Sequence, residues 1–226
     1  MSEIHMTKPP ASKAVAEQVA ATLRDRIVKG ELASFDRIVE RRLSAELNVS
    51  RTPIREALKL LEADGLIEIT LHRGAIVSEY RPEEAFLLFD VIAMLEGLAA
   101  RRICENITAE TLQRLEDFHG EMLDHHQAGR TNDYFDINTI IHDYIVETSS
   151  HSVLIATHER LVIRARRGRF LAILNPDRLT QAVSEHEDLM QAFRDMDPDA
   201  AARVWETHLR HTGETVANVL RDQADS

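Results

Sequence analysis

Four side chains in the second half of the sequence have the types and the spacing of metal ligands. Asn138 and His142 are four residues apart, so that a helix would carry both on one face. His186 and His208 are 22 residues apart, on the last two predicted helices. Three imidazoles and one amide oxygen that converge inside a helical bundle suit zinc, nickel or a similar divalent ion. Each histidine taken alone is much more typical of an ordinary core or surface position, and the spacing leaves that alternative open.

The remaining histidines give weaker signals. The sequence has eleven histidines, which is many for 226 residues. We assign ordinary core or surface positions to four of them, and for another four the residues alone indicate no role. The first group is His5, His72, His125 and His126, and the second is His119, His151, His158 and His211.

A second group of side chains has the chemistry of DNA recognition. Arg51, Thr52 and Arg55 lie at the start of a predicted helix. Arg51 and Arg55 are one helical turn apart and share a face, while Leu58 and Leu61 occupy the opposite, buried face. Arginine suits two-pronged contacts with guanine and also binds phosphate, so we predict that this helix contacts DNA.

Further residues are expected to support this contact. Arg41 lies in the preceding helix, and Arg73 and Gly74 lie in a predicted hairpin. The alternative is that these arginines form only surface ion pairs, for example Arg55 with neighbouring glutamates. The order of helix, turn, Arg-Thr-Pro helix and hairpin favours DNA binding.

The elements that must position these side chains form a winged helix-turn-helix. Apolar residues at helical spacing predict a helix over 15–28 and a short one over 40–47. A third begins with Ser50 as its N-cap and stops at Gly65. The runs LIEIT and AIVSEY flank residues 71–74 and predict a two-stranded hairpin, which is the wing.

From about residue 83 onward the sequence shows only helical periodicity. The expected fold is therefore mainly α, with a small β-hairpin wing in the N-terminal part and a C-terminal all-α helical bundle. The domain prediction is a tail over 1–13, a DNA-binding domain over 14–78, a linker over 79–83 and a helical domain over 84–222. The predicted helices of that domain cover 83–104, 108–128, 131–149, 151–173, 178–196 and 198–222.

Composition indicates a folded protein of a reducing compartment. Hydrophobic residues make up 44% of the chain and charged residues 29%, and Cys104 is the single cysteine, which excludes an internal disulfide framework. No apolar run is long enough to cross a bilayer, so we predict a cytoplasmic protein without a membrane partner. The net charge of −11 resides entirely beyond residue 80, because residues 1–80 carry twelve basic and twelve acidic side chains. Overall acidity therefore does not exclude DNA binding by the N-terminal part.

The N-terminal motifs resemble a known family. The run VERRLSAELNVSRTPIREALKLLEADGLIEITLHRGAIV closely resembles the winged-helix domain of the GntR family of bacterial repressors, over about residues 14–78. It departs from that family at residues 33–35, where a Pro-Gly turn is usual. The resemblance implies a dimeric DNA binder with contacts at Arg41, Arg51, Thr52, Arg55 and Gly74.

The C-terminal motifs extend the resemblance. The segments LEGLAARRI, NTIIHDYIVETSSHSVL and RLTQAVSEHEDLMQAFRDMDPDAAARVWETHL resemble the FCD ligand-binding domain of the FadR subgroup. Metal-binding members have an Asp, a His four residues later and two His 22 apart, which implies Asn138, His142, His186 and His208 as the ligands here. Asn138 replaces the usual Asp and brings no charge. Ile92 stands where many relatives have an arginine suited to an effector carboxylate.

These observations predict a transcription regulator rather than an enzyme. We expect a homodimeric repressor of a palindromic operator, controlled by an organic acid that coordinates the bound metal. Candidate effector contacts are Arg102, His151, Arg164 and Arg167. The alternatives are a metal-dependent hydrolase, in which the ion activates water, and a sensor of the metal itself.

Overall fold

The computed structural model describes residues 11–70 and 74–224. Its boundary between two compact units falls between Glu79 and Tyr80. The predicted class, mainly α with a winged helix-turn-helix and a C-terminal helical bundle, is confirmed by these elements and by the comparisons reported below. None of the described helices combines the length and the apolar character that a membrane span requires.

The N-terminal unit is a winged helix-turn-helix. Helix α1 packs against α3 and buries Val19, Leu23 and Ile27. Ser50 occupies the N-cap position of α3 as predicted, although its side chain accepts no hydrogen bond there. The elements are α1 (Ala11–Val28), β1 (Arg37–Ile38), α2 (Glu40–Glu46), α3 (Arg51–Ala63), β2 (Ile67–Thr70) and β3 (Gly74–Val77).

The wing differs from the predicted two-stranded hairpin. It is a three-stranded antiparallel sheet in the order β1-β3-β2, because Arg37 and Ile38 pair with Ile76 and Ala75 of β3. A strand of two residues is too short to produce a period-two pattern, so β1 was missed. In the preceding turn, Phe35 adopts a left-handed conformation with φ of 71°, at the point where the resembling family has a Pro-Gly turn.

The C-terminal unit consists of seven helices, within the residues described. The long helices α4 and α10 pack along each other and form its centre. The bounds are α4 (Pro82–Glu105), α5 (Ala109–Gln127), α6 (Thr131–Thr148), α7 (Ser152–Glu159), α8 (Val162–Ile173), α9 (Pro176–Arg194) and α10 (Pro198–Ala224). Thus α4 begins inside the segment predicted as a linker, as α1 begins inside the predicted tail.

The single helix predicted over 151–173 is wrong. The structure divides it into α7 and α8 at Arg160 and Leu161. The amide of Leu161 donates to the carbonyl of His158, three residues back, and that of Arg164 donates to the carbonyl of Leu161. These tighter turns interrupt the regular ladder, and the segment has neither Gly nor Pro at the break to announce it.

Glycines in α8 and α10 allow these helices to approach Phe89 of α4. A Cβ atom on Gly168 would lie 2.5 Å from Phe89 Cε2, and one on Gly213 would lie 2.6 Å from Phe89 Cβ. Both distances are far below van der Waals contact, so any side chain at either position would force the helices apart. The close packing brings α4, α8 and α10 to a common interior, where the polar cluster described below lies.

Candidate nucleic-acid interface and metal centre

The helix-turn-helix holds its arginines on an exposed, concave face. Asn48 turns the chain between α2 and α3 through a left-handed conformation, with φ of 51°, which Asn tolerates better than most residues. Apolar residues of α3 pack inward, whereas the side chains of Arg51 and Arg55 are 59% and 58% exposed. Thr52 is exposed on the same helix.

Four of the six predicted DNA-binding residues lie together on this face. Arg41, Arg51, Arg55 and Gly74 line one concavity, to which Arg37 and Lys59 also contribute. Sequence analysis did not assign Arg37 and Lys59 to the site. Arg73 lies outside the described residues. The face therefore combines five cations with the glycine at the start of β3, and it suits a polyanion.

Glu40 links the two recognition arginines. Its carboxylate accepts from Nη2 of Arg51 at 3.1 Å and from Nε of Arg55 at 3.0 Å. Arg55 thus pairs with the preceding helix and not with its neighbours on α3. One carboxylate holds both guanidinium groups at the N-terminal end of α3, where they must lie to enter a groove.

In the C-terminal unit, three histidines from three helices meet. His142 of α6, His186 of α9 and His208 of α10 are buried, and each offers a ring nitrogen within 4.8 Å of the other two. Asn138, one turn before His142 on α6, is also buried and borders the same cavity as His208. The four predicted ligands therefore face one region.

The unsatisfied atoms of this cluster have the character of metal ligands. Nε2 of His142, Nε2 of His186 and Oδ1 of Asn138 are buried and have no hydrogen-bond partner among the described residues. Such orphaned acceptors are costly unless something binds them. A divalent ion satisfies such acceptors, at a usual distance of about 2.0–2.1 Å from a histidine nitrogen. The residues present thus fit a divalent ion.

The imidazoles are held neutral, as ligation requires. Burial and the charge of Arg169 lower the pKa of His142 to about 3. Burial likewise lowers the pKa of His208 to about 4 and holds that of His186 well below its ordinary value. Neutral rings keep their lone pairs available at physiological pH.

Two glutamates orient two of these rings, and sequence analysis missed both. Glu96 of α4 accepts from Nδ1 of His142 at 2.5 Å, and Glu185 accepts from Nδ1 of His208 at 2.8 Å. In each case the other ring nitrogen is left for an ion, which is the usual carboxylate–histidine–metal arrangement. Sequence analysis could have identified Glu96, because a glutamate within the apolar run of α4 is unusual unless it has a buried partner.

Glu96 is the centre of a wider buried network. It also accepts from Nε1 of Trp205 at 3.1 Å and contacts Nε2 of His158 at 3.0 Å. Burial opposes its ionisation, but His142 and the hydrogen bonds from His142 and His158 outweigh that effect and hold the pKa of Glu96 well below its ordinary value. His158 and His211, left unassigned from the sequence, thus each contact a glutamate, since Nδ1 of His211 lies 2.6 Å from Glu185.

Two arginines border the same cavity. Arg169 of α8 and Arg178 of α9 are 2% and 3% exposed and line it together with Asn138 and His208. Sequence analysis did not single them out. Arg178 lies eight residues before His186, a spacing that places both on one face of α9, whereas nothing distinguished Arg169 within the run Arg-Ala-Arg-Arg-Gly-Arg.

The predicted effector contacts lie elsewhere in the unit. Arg102 donates to the carbonyl of Ser149 at 3.4 Å, and His151 caps α7 by accepting from the amide of Leu154. The guanidinium of Arg167 lies over the ring of Tyr80, 5.2 Å from its centroid. These residues and Arg164 do not border the cavity lined by Asn138 and His208.

Comparisons with known proteins agree with both units. The chain is 25% identical over 224 residues to the HTH-type transcriptional repressor RspR of Escherichia coli K12, covering 99% of this chain and 96% of that protein. It is 28% identical to the HTH-type transcriptional repressor NanR of Klebsiella aerogenes, covering 92% and 87%. The solved structure of E. coli McbR/YncC superposes with a TM-score of 0.77 at 20% identity, over 93% of this chain and 98% of that one.

Family models match the two units separately. Residues 15–77 match the model of bacterial regulatory proteins of the gntR family. Residues 87–211, more than half of the chain, match the FCD domain. With the exposed arginine face in one unit and the buried histidine cluster in the other, these matches identify the chain as a member of the GntR family of bacterial transcriptional regulators that carries an FCD domain.

Proposed function

We propose that this regulator is a repressor that binds operator DNA through Arg41, Arg51, Thr52, Arg55 and the wing residues Arg73 and Gly74. The observation that carries the proposal is the concave face on which Arg41, Arg51, Arg55 and Gly74 lie together. The printed names of RspR and NanR, both repressors, support the direction of control. A regulator with this role meets DNA in the cytoplasm.

The exposed arginines explain how the N-terminal unit would read DNA. Arg51 and Arg55 project from the first two turns of α3, the part of a recognition helix that reaches base edges. Arg41 and Lys59 flank them and suit phosphate contacts. Gly74 has φ of 74°, and none of the described atoms lies within 4 Å of the position that a Cβ would take, which suits an approach of the wing backbone to the duplex.

A homodimer and a palindromic operator are part of the proposal. Leu87, Val91, Met94 and Leu98 follow one another at spacings of four, three and four residues on α4, and they are 39–64% exposed. This is the spacing of a helix–helix seam, and an apolar stripe of this length on an exposed helix suits a second copy of the chain. Twofold symmetry would then present two α3 helices to two half-sites.

The histidine cluster would supply the control. Asn138, His142, His186 and His208 would hold a divalent ion, zinc or nickel, whose positive charge would bind the carboxylate of a small organic acid. Glu96 and Glu185 orient the rings and Arg169 and Arg178 close the cavity. An acid that prefers one arrangement of the helices shifts the equilibrium between DNA-binding and non-binding dimers.

The other hypotheses fare differently. The relatives and structural neighbours are transcriptional regulators and not enzymes, so the metal-dependent hydrolase is not supported. A pure metal sensor shares every residue of the site and differs only in its signal. In that case DNA affinity would follow the metal concentration and ignore organic acids.

Selection of a duplex from a random library, followed by titration with variants, tests the proposal. Arg55→Gln should weaken binding to the selected duplex at least tenfold, because a two-pronged guanine contact contributes about 1–3 kcal/mol. Lys13→Gln is the matched control, since it also removes one exposed positive charge of this unit, on α1. Equal binding by wild type and Arg55→Gln would refute the assignment of α3 as the recognition helix.

A further inference from the structure

Val39 is an exposed apolar side chain on the arginine face of the N-terminal unit. It lines the same concavity as Arg51 and Arg55, and it is 52% exposed. Three other apolar residues that border the concavity are buried in the core of the unit, namely Ile38, Leu58 and Ala75. Those three need no further partner, whereas Val39 presents an aliphatic surface to solvent among cations.

Val39 is also an unfavourable residue for the helix that it precedes. It occupies the N-cap position of α2 with extended backbone angles, φ of −98° and ψ of 109°, and makes no side-chain cap hydrogen bond. Ser, Thr, Asp or Asn at this position would accept from an amide of the first turn, and valine cannot. The fold therefore gains no cap from Val39 and leaves about half of it in water. Such local departures are expected at functional sites.

The next residue, Glu40, relates Val39 to the recognition arginines. Its carboxylate accepts from Arg51 at 3.1 Å and from Arg55 at 3.0 Å, so that Val39 lies close to both guanidinium groups. In the major groove, base edges present hydrogen-bond donors and acceptors and one kind of apolar group, the C5 methyl of thymine. An aliphatic side chain beside base-reading arginines therefore suits thymine.

We propose that Val39 is a specificity-determining residue that packs against the C5 methyl group of a thymine, beside the guanine that Arg51 or Arg55 contacts. This inference rests on the proposed function, because it adds a base contact to the same DNA interface. Cytosine at that position presents an amino group without the methyl, and either purine presents the N7 acceptor. Each of these bases leaves Val39 against a polar edge, so thymine is preferred.

Sequencing of duplexes that the full chain selects from a random library is the first test. The wild type should prefer thymine at one position of the selected site, and Val39→Ser should accept other bases there while its guanine preferences stay unchanged. Val153→Ser is the matched control, since Val153 of α7 is 70% exposed and lies in the other unit. It should select the same sequence as the wild type.

Deoxyuridine isolates the methyl group, because it keeps the base pairing of thymine and lacks only that group. Deoxyuridine at the selected thymine should weaken wild-type binding roughly threefold or more, the size expected when a methyl-sized group is no longer buried. The same replacement should have almost no effect on the affinity of Val39→Ser. This double-mutant comparison measures the contact itself.

Thermal unfolding distinguishes the proposed contact from a role in packing alone. Serine can cap α2, so Val39→Ser should melt at the temperature of the wild type or above it. Val39→Thr keeps one methyl group and the shape of the side chain, and it should retain part of the deoxyuridine effect. It also keeps the test decisive if Val39→Ser folds poorly.

The contradicting outcomes separate this inference from the function on which it rests. Selected duplexes without a thymine preference would overturn the inference. So would an equal loss of affinity of Val39→Ser for the thymine and deoxyuridine duplexes, which is the result expected if Val39 packs on deoxyribose. Both outcomes leave the proposed function standing as long as Arg55→Gln weakens binding. A chain that selects no duplex would contradict the proposed function and this inference with it.

Discussion

Replacing Glu96 by glutamine isolates the effect of one buried charge on the candidate metal site. Oε2 of Glu96 accepts from His142 and Trp205, and Oε1 contacts His158. The glutamine oxygen can take the place of Oε2. Its amide can then donate to His158, because a neutral imidazole accepts on whichever nitrogen lacks the proton. The side chain therefore fits, and the expected change is electrostatic and not one of shape.

The expected magnitude follows from the contact with His142. A carboxylate that accepts from the outer nitrogen of a ligating histidine makes that ligand more basic, and its loss typically costs 10–100-fold in metal affinity. That range corresponds to about 1.4–2.7 kcal/mol. Because Glu96 is fully buried, solvent does not screen the effect, so we expect Glu96→Gln to reach the upper half of the range.

Zinc affinity is best measured by competition with a chromophoric chelator. Glu214→Gln removes an equal charge from an exposed position of α10 and should bind zinc as the wild type does. Circular dichroism identifies a variant that has lost its fold. A folded Glu96→Gln protein that binds zinc within twofold of the wild type would refute the role of Glu96 in holding His142.

Three further predictions concern DNA selectivity, packing and metal loading. Glu40→Gln should lower the ratio of affinities for a selected and a scrambled duplex several-fold, because it releases Arg51 and Arg55 and removes a negative charge that faces phosphates; competition band shifts measure this. Gly168→Ala should lower the free energy of unfolding of the C-terminal unit by about 1–3 kcal/mol, since its Cβ would overlap Phe89, and urea unfolding measures this. Zinc at 100 times its Kd should stabilise that unit by about 2.7 kcal/mol. The melting temperature should rise by roughly 5–10 °C in a thermal scan.

Each of these has its own contradicting result. An unchanged selectivity ratio would mean that Glu40 does not position the arginines. For the packing test, Gly120→Ala is the control, because its Cβ meets nothing within 4 Å and alanine favours the helix by up to about 1 kcal/mol. Equal destabilisation by both substitutions would contradict the overlap with Phe89. A melting temperature insensitive to zinc and to chelator would argue against the metal centre.

The fold was largely accessible from the sequence, and its misses have local causes. The helix-turn-helix was predicted correctly because the apolar periodicity of its helices and the residues that begin and end α3, Ser50 and Gly65, indicate the same helix boundaries. Strand β1 was not predicted because its two residues are a strand only through their pairing with β3, which lies far away in the sequence. The helix break at Arg160 and Leu161 has no Gly or Pro, so the sequence pattern gives no sign of it.

The candidate site was less accessible. The spacing of Asn138 and the three histidines indicated them as metal ligands, because a four-residue helical spacing and a 22-residue separation can be read directly from the sequence. The residues that orient and charge the site come from other helices and depend on tertiary packing. Glu96 lies in an apolar run, which was a usable signal. Arg169 is one of four arginines within six residues, and only packing decides which of them is buried. That is why the predicted effector contacts, which stay predictions, omitted the two arginines that border the cavity.

The most direct test of the account is the affinity of the full chain for its selected duplex, measured by fluorescence anisotropy without metal, with zinc, and with zinc plus malate. We predict that malate changes the affinity of the zinc-loaded chain at least fivefold and that it has no effect on a His186→Ala variant, which loses one of the ligands. The same affinity in all three conditions would contradict the claim that the buried cluster controls the DNA-binding unit.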